Sequence, residues 1–340
     1  MGDEEEKPSG KSSVPEEGRK EKVEGKETFA ADEAPPPSLD ALKAAEELYQ
    51  KFLTFTIQEI FEKAKSESFF IEGRNIRAAV EPVVDVLQKG DAGLLYFATT
   101  HSTPDYYLHA HAVNTCIFSV ALGVSLGYER EALITLAMGA LLHDLGMIKV
   151  MDVAQVKRKL TIDEKQAIET HVRYNVDLLK SVQNLPEKCI VIAQTVHERP
   201  DGHGYPLGLP GEALSEEAQL VALCDIYEAL THPRSYRDRL SPYEALKEIL
   251  KGKELFNQRL LKLILQQLTI FPIGCWVELS TGEQGQVIRT NPNAPLRPTL
   301  QLFFDNQKRK LTVPRLVDLK NHATLFVKRS LEQKEIQEKG

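Results

Sequence analysis

His143 and Asp144 stand side by side where an apolar run, Leu133, Leu136, Ala137, Ala140 and Leu141, gives way to Leu145-Gly146. Burying an imidazole and a carboxylate there is costly unless each finds a partner. An isolated pair of this kind is satisfied by backbone groups at a helix end. Four further side chains widen the reading: His111, His171, His197 and Asp225, which continue the series at intervals of 26 to 32 residues. Each interval is about one helix plus its loop, so a bundle can aim one group from each of five segments into a shared cavity, as helical metal proteins do. Neutral imidazole and carboxylate together suit iron, manganese, zinc or cobalt, and the two oxygens of an Asp beside a His can bridge two ions. Spacing alone leaves open both a metal site and a hydrogen-bonded core cluster.

A second feature is Val196-His197-Glu198-Arg199-Pro200-Asp201-Gly202-His203-Gly204-Tyr205-Pro206, followed by Leu207-Gly208-Leu209-Pro210-Gly211. Read from composition, it is a Gly/Pro-punctuated loop between helices. The remaining histidines invite an ordinary reading. His109 is two residues from His111 and so points elsewhere on a helix, His203 lies inside the Gly loop, and His101, His232 and His322 sit in turn-like or surface stretches. Asn114, one turn beyond His111, is placed either to orient that imidazole or simply to pack. Cys224, beside Asp225, reads as a small buried apolar residue.

The elements that must position these groups are helical. Leu42, Ala45, Leu48, Tyr49 and Leu53 recur at helical spacing, and so do Ile76, Ala79, Val80, Val83, Val84 and Leu87; two or three helices therefore precede the first chemistry. From Tyr106 to about Thr269 the period stays near 3.6, with helices expected at Ala112–Leu126, Arg130–Leu142, Ile162–Val182, Pro186–Val196, Ala218–Leu230 and Tyr243–Leu250. Beyond Phe271-Pro272-Ile273-Gly274 the pattern turns to short alternating runs, Trp276–Leu279, Gln286–Arg289, Leu300–Phe304 and Lys310–Val313, separated by turn residues. The expected organisation is a disordered acidic tail over 1–38, N-terminal helices over 39–100, an all-helical domain over 101–270, a small β domain over 271–331 and a short tail over 332–340. The fold class is mainly α with a small β appendage.

Length and composition agree. A chain of 340 residues with 42% hydrophobic and 27% charged side chains is that of an ordinary soluble protein. Residues 1–40 hold twelve Asp/Glu against six Lys/Arg, so nearly all of the net charge of −7 lies there. The body is almost neutral, which disfavours a nucleic-acid polymer as ligand. The β segment is modestly basic, with nine Lys/Arg against four Asp/Glu over 271–330, as a solvated surface commonly is. Four scattered cysteines suit a reducing compartment. The first residues lack the basic and apolar stretches of a secretory signal, and no window reaches about 18 uninterrupted apolar residues. A cytoplasmic location without a membrane span is expected.

The ordered series His143-Asp144, His197-Glu198-Arg199, Asp201-Gly202-His203-Gly204-Tyr205-Pro206 and Asp225-Ile226-Tyr227-Glu228-Ala229-Leu230 resembles the HD-GYP family of the HD phosphohydrolases. Its members hydrolyse the bacterial messenger cyclic di-GMP. The likeness extends to His111-Ala112-Val113-Asn114 and Thr231-His232-Pro233-Arg234-Ser235-Tyr236-Arg237, from about Tyr106 to Phe256, a little under half of the chain. The helices at 39–100 and the segment from Phe271 to Val287 also resemble regions that flank this domain. The resemblance implies an HD-type helical bundle with metal ligands at His111, His143, Asp144, His171, His197 and Asp225. It implies that His143 and Asp144 are central to catalysis, with Asp144 bridging two iron or manganese ions, and that a metal-bridging hydroxide attacks phosphorus in line. Arg234 and Arg237 match positions that hold the phosphates. Gly204, Tyr205 and Pro206 match a loop that shapes the substrate pocket and offers a docking surface to signalling partners.

Three positions depart from the family pattern. Val196 replaces the first imidazole of His-His-Glu, which weakens the second metal position. Met147 replaces a lysine near the scissile phosphate, a loss of about 2–4 kcal/mol of transition-state stabilisation, or about 10²–10³ in rate. Tyr107 stands where some members have a Glu for a third metal, so a trinuclear site is not expected. Two functions follow from the resemblance: a metal-dependent phosphodiesterase for cyclic di-GMP or a related cyclic dinucleotide, or an impaired relative that serves as a cyclic-dinucleotide receptor or protein scaffold.

Overall fold

The apolar periodicity organises a helical body that leads into one antiparallel sheet. The computed structural model describes residues 39–331, apart from 67–68, 92, 101–106, 157, 234–238, 269–270, 272, 292–293 and 295. The expected tails over 1–38 and 332–340, together with His101, Arg234 and Arg237, lie outside the described residues.

Helix α1 (Leu39–Phe55) runs on through a wider π turn, Thr56–Phe61, to Ala64. Then come α2 (Gly73–Gln88) and α3 (Gly93–Thr100). The stripe read from the sequence is the buried one: Ile76, Val80, Val83, Val84 and Leu87 all face the core from α2. At the centre lie α4 (Tyr107–Ser125) and α5 (Arg130–Leu142), enclosed on nearly all sides. Two stretches, Tyr107–Ser125 and Arg130–Lys149, are long and apolar enough to cross a membrane by length and composition, but 78% and 72% of each lies buried inside the protein. Their apolar character has a packing explanation, since they are the innermost helices of the bundle.

Helix α4 begins five residues earlier than its apolar run suggests, so His111 sits within it rather than ahead of it. The helix expected over Ile162–Val182 is two, α6 (Ile162–Glu169) and α7 (His171–Lys180). At the break, the Thr170 hydroxyl donates to the Ala167 carbonyl at 2.6 Å and His171 Nδ1 to that of Ile168 at 2.7 Å. Side chains thus occupy carbonyls that a continuous helix would pair with later amides. The bundle continues with α8 (Glu187–Thr195), α9 (Glu216–Thr231), α10 (Pro242–Lys251) and α11 (Gln258–Gln267), the last beyond the expected helices.

The sheet has strands β1 (Trp276–Leu279), β2 (Gln284–Arg289), β3 (Thr299–Phe304), β4 (Lys310–Asp318) and β5 (Val327–Leu331), all antiparallel, in the order β4-β3-β2-β1-β5. Four strands were legible; β5 was not, because Val327-Lys328-Arg329-Ser330-Leu331 has only two apolar residues to show its alternation. Pro314 is tolerated in β4 because that strand is at the edge. Val277, Leu279, Leu300 and Leu302 of the sheet belong to the same continuous buried cluster as the helices. The mainly α class with a small C-terminal sheet is what the structure shows.

Candidate metal centre

Five segments of the chain bring the expected side chains together. His111 comes from the second turn of α4, His143 from the residue that closes α5, and Asp144 from the start of a short 3-10 turn over Leu145–Lys149. His171 opens α7, His197 lies two residues past α8, and Asp225 is in the middle of α9. His111 Nε2 lies 3.1 Å from Asp225 Oδ1 and 3.7 Å from Asp144 Oδ2. His143 Nε2 lies 3.7 Å from Asp144 Oδ2 and 3.9 Å from Asp225 Oδ1. On the other side of Asp144, the Nε2 atoms of His171 and His197 are 3.0 Å apart, and each is 3.1 Å from Asp144 Oδ1. Two ligand sets therefore share one carboxylate: His111, His143 and Asp144, joined by Asp225, and Asp144, His171 and His197.

The hydrogen bonds behind the ligands decide which nitrogens are free to bind. His143 Nδ1 is 2.7 Å from the Ala140 carbonyl and His171 Nδ1 2.7 Å from that of Ile168. A carbonyl only accepts, so both rings carry the proton on Nδ1 and turn an Nε2 lone pair inward. His143 Nε2 is buried with no hydrogen-bond partner among the described residues. A buried lone pair aimed between two carboxylates, and two imidazole nitrogens converging on one oxygen, are what a divalent cation satisfies. The donor set fits such an ion.

Electrostatics agree. Burial alone would raise the Asp144 and Asp225 carboxyls, but His143 and His171 around the first and His111 around the second outweigh it and hold both below the ordinary range, Asp144 well below. Burial pushes His143 down, toward the neutral form that binds metal. His171 moves the other way: burial opposes its charge, yet the adjacent Asp144 raises it.

Residues outside the six candidate ligands support them. Glu228, three residues past Asp225 on α9, accepts from His111 Nδ1 in a close contact. Asn114 reaches His111 through Glu228: its Nδ2 donates to Glu228 Oε1 at 3.2 Å. His232, expected at the surface, is buried, with Nδ1 3.2 Å from Glu228 Oε1. Asn175, one turn after His171, donates to the His143 carbonyl and accepts from Gly146 N at 3.2 Å. The available signal was a buried polar residue one turn after each of His111, His171 and Asp225. His109 packs edge-on against Phe61, ring centres 4.6 Å apart, and is turned away as expected.

The glycine loop is organised by Glu198, whose carboxylate accepts from the backbone N–H groups of Leu207, Gly208 and Leu209 at 2.6, 3.1 and 3.0 Å. Gly204 passes so close beneath it that a Cβ would lie 2.3 Å from Glu198 Cα. The Tyr205 ring stacks on His197, centres 5.0 Å apart and planes 15° from parallel, and stands edge-on to His171. Tyr205 is joined to Pro206 by a cis peptide bond, and Pro206 faces solvent.

Known proteins resemble this chain in sequence and in fold. The family model for the HD domain covers residues 108–260. A cyclic di-GMP phosphodiesterase of Pseudomonas aeruginosa is 29% identical over 64% of this chain and 53% of its own length. The cyclic di-GMP phosphodiesterase PdeB of Borreliella burgdorferi is 27% identical over 63% of this chain and 56% of its own. Residues 108–260 thus match the HD domain, and both relatives are cyclic di-GMP phosphodiesterases. This chain spans about half the length of these curated relatives. A solved HDG"Y"P protein from Bdellovibrio bacteriovorus shares the fold with a TM-score of 0.56 at 18% identity, over 67% of this chain and 72% of that one. C-terminal to the HD domain, residues 276–339 match a KOW domain associated with HD domains.

A cavity of about 590 Å³ opens beside the HD centre and reaches it at His197 and Asp225, with Val196, Arg199, Tyr205 and Leu223 among its walls. Val196 is buried there and offers no donor atom. Met147 is half-buried against the apolar core, and the Tyr107 hydroxyl lies 3.9 Å from Met151 Sδ. Thus the HD domain brings all six expected ligands into one cluster.

Proposed function

We propose that the HD domain is a metal-dependent phosphodiesterase that hydrolyses cyclic di-GMP or a related cyclic dinucleotide. The observation that carries this reading is the pair of ligand sets sharing Asp144, beside a cavity of about 590 Å³ that His197 and Asp225 line. His111, His143, Asp144 and Asp225 would hold one divalent ion, and Asp144, His171 and His197 a second, with iron or manganese suited to this donor set. Such ions supply Lewis acidity for a phosphate oxygen and lower the pKa of water at neutral pH. The chain's own groups do the rest: Asp144 holds the two positions in register, Ala140 and Ile168 fix the tautomers of His143 and His171, and Tyr205 covers His197. Arg234 and Arg237 are assigned to the phosphates on the family resemblance. The catalytic unit is assigned to 101–270, with 39–100 and 271–331 as its helical and β flanks. The free cysteines fit a cytoplasmic location, and the exposed end of the Gly-Tyr-Pro loop is assigned to docking a signalling partner.

A second reading has one specific support. The second ligand set has three protein groups, and the neighbouring Val196 adds none. A domain that loses the second ion while keeping its cavity would bind a cyclic dinucleotide, or a protein, without cleaving it. The deciding experiment is cyclic di-GMP hydrolysis by protein purified anaerobically and reconstituted with ferrous iron or manganese, counting ions per chain in the same sample. Turnover with about two ions, lost in Asp144→Ala, supports the enzyme. Fewer than two ions without turnover supports the receptor or scaffold.

A further inference from the structure

The HD centre rests on a buried hydrogen-bond relay that starts in α1, outside the residues of the HD match. Tyr49 is fully buried, and its hydroxyl donates to Asn114 Oδ1 at 2.8 Å. That bond decides which way the Asn114 amide faces: with the oxygen engaged by Tyr49, Nδ2 turns to Glu228 Oε1 at 3.2 Å and His232 Nε2 at 3.4 Å. An amide N–H directed at His232 Nε2 leaves the ring proton on Nδ1, 3.2 Å from Glu228 Oε1. Every polar atom in the relay then has a complementary role, and the other oxygen of Glu228 receives His111 Nδ1.

We propose that Glu228 is the positioning residue that fixes His111 with its proton on Nδ1 and its Nε2 lone pair toward the metal, and that Tyr49 holds Glu228 in place through Asn114. The inference deepens the metal-centre reading and rests on it. It makes α1 a working part of the site. Without the Tyr49 hydroxyl, the Asn114 amide is free to flip and present its oxygen to the Glu228 carboxylate, a repulsive pair in a buried setting. A carboxylate behind a ligating imidazole raises its basicity and sets its orientation, and removing such a partner typically weakens metal affinity about 10–100-fold.

The test uses the full chain and two readouts: the dissociation constant for Mn²⁺ by titration calorimetry, and the tautomer of His111 in metal-free protein from its imidazole ¹⁵N shifts. Glu228→Gln is expected to weaken Mn²⁺ binding about 10–100-fold and to give His111 a mixture of tautomers. Tyr49→Phe, which removes one hydroxyl, is expected to weaken binding by a smaller factor in the same direction, and Ser119→Ala, buried on α4 outside the relay, to leave it unchanged. Should Glu228→Gln fail to fold, Tyr49→Phe carries the decision alone. Wild-type affinity together with an unchanged His111 tautomer in Tyr49→Phe or in folded Glu228→Gln overturns the proposal. Should the wild-type protein itself bind no Mn²⁺, the metal-centre reading fails, and the tautomer readout still decides whether Glu228 fixes the ring.

Discussion

Asp144 is the residue on which both ligand sets depend, since one oxygen faces His111 and His143 and the other faces His171 and His197. Asp144→Ala is therefore expected to bring the ions per chain close to zero by elemental measurement, rather than to halve them. On the proposed reading, Val196 and Met147 are the residues that would separate an active enzyme from a binding protein. Restoring both, Val196→His with Met147→Lys, is expected to raise occupancy of the second position and to raise turnover about 10²–10³-fold if the lost cation acts on the scissile phosphate. Full metal loading with no turnover in that double variant would show that neither residue is the lesion.

At the scale of elements, the centre depends on how closely the 3-10 turn over Leu145–Lys149 approaches α7. Gly146 makes that approach possible: a Cβ there would lie 2.1 Å from the His171 carbonyl oxygen and 2.6 Å from Asn175 N. Gly146→Ala is expected to cost about 1–3 kcal/mol of stability through overpacking, read in denaturant unfolding, and to weaken metal binding by displacing Asp144 from His171. The break at Thr170 belongs to the same scale. A continuous helix would bond the Ile168 carbonyl to a later amide, and His171 Nδ1 would lose the acceptor that now orients its ring.

In the whole molecule, the flanking elements are packed into the same core as the HD bundle. Tyr96 of α3 lies against Gly274, Tyr243 of α10 stacks on Phe271 with ring centres 5.9 Å apart, and Tyr49 of α1 reaches the relay behind His111. Because the candidate ligands come from five separate segments of the chain, metal binding should stabilise the fold as a whole. At a free metal concentration a hundred times Kd, one ion adds about 2.7 kcal/mol. Adding a chelator to the reconstituted protein is therefore expected to lower Tm, and Asp144→Ala should show no such shift.

The helical class with its β appendage, and six candidate ligands, could be read from the linear pattern of residues. Apolar period survives in any compact packing. The spacing of His111, His143, Asp144, His171, His197 and Asp225 left a metal site and a hydrogen-bonded cluster both open, and the family resemblance pointed to the metal site. The strand Val327–Leu331 and the break at Thr170 were not, because a five-residue strand with two apolar positions and a side chain competing for backbone carbonyls leave the linear pattern nearly unchanged. It took the packed fold to show that Glu228, Asn114, Asn175 and a buried His232 hydrogen-bond behind the candidate ligands, and that a tyrosine of the first helix joins them. Each of those hydrogen bonds spans two packed elements or depends on a side chain's final direction. The requirement that buried polar groups be paired shows that partners must exist, while packing alone shows which they are.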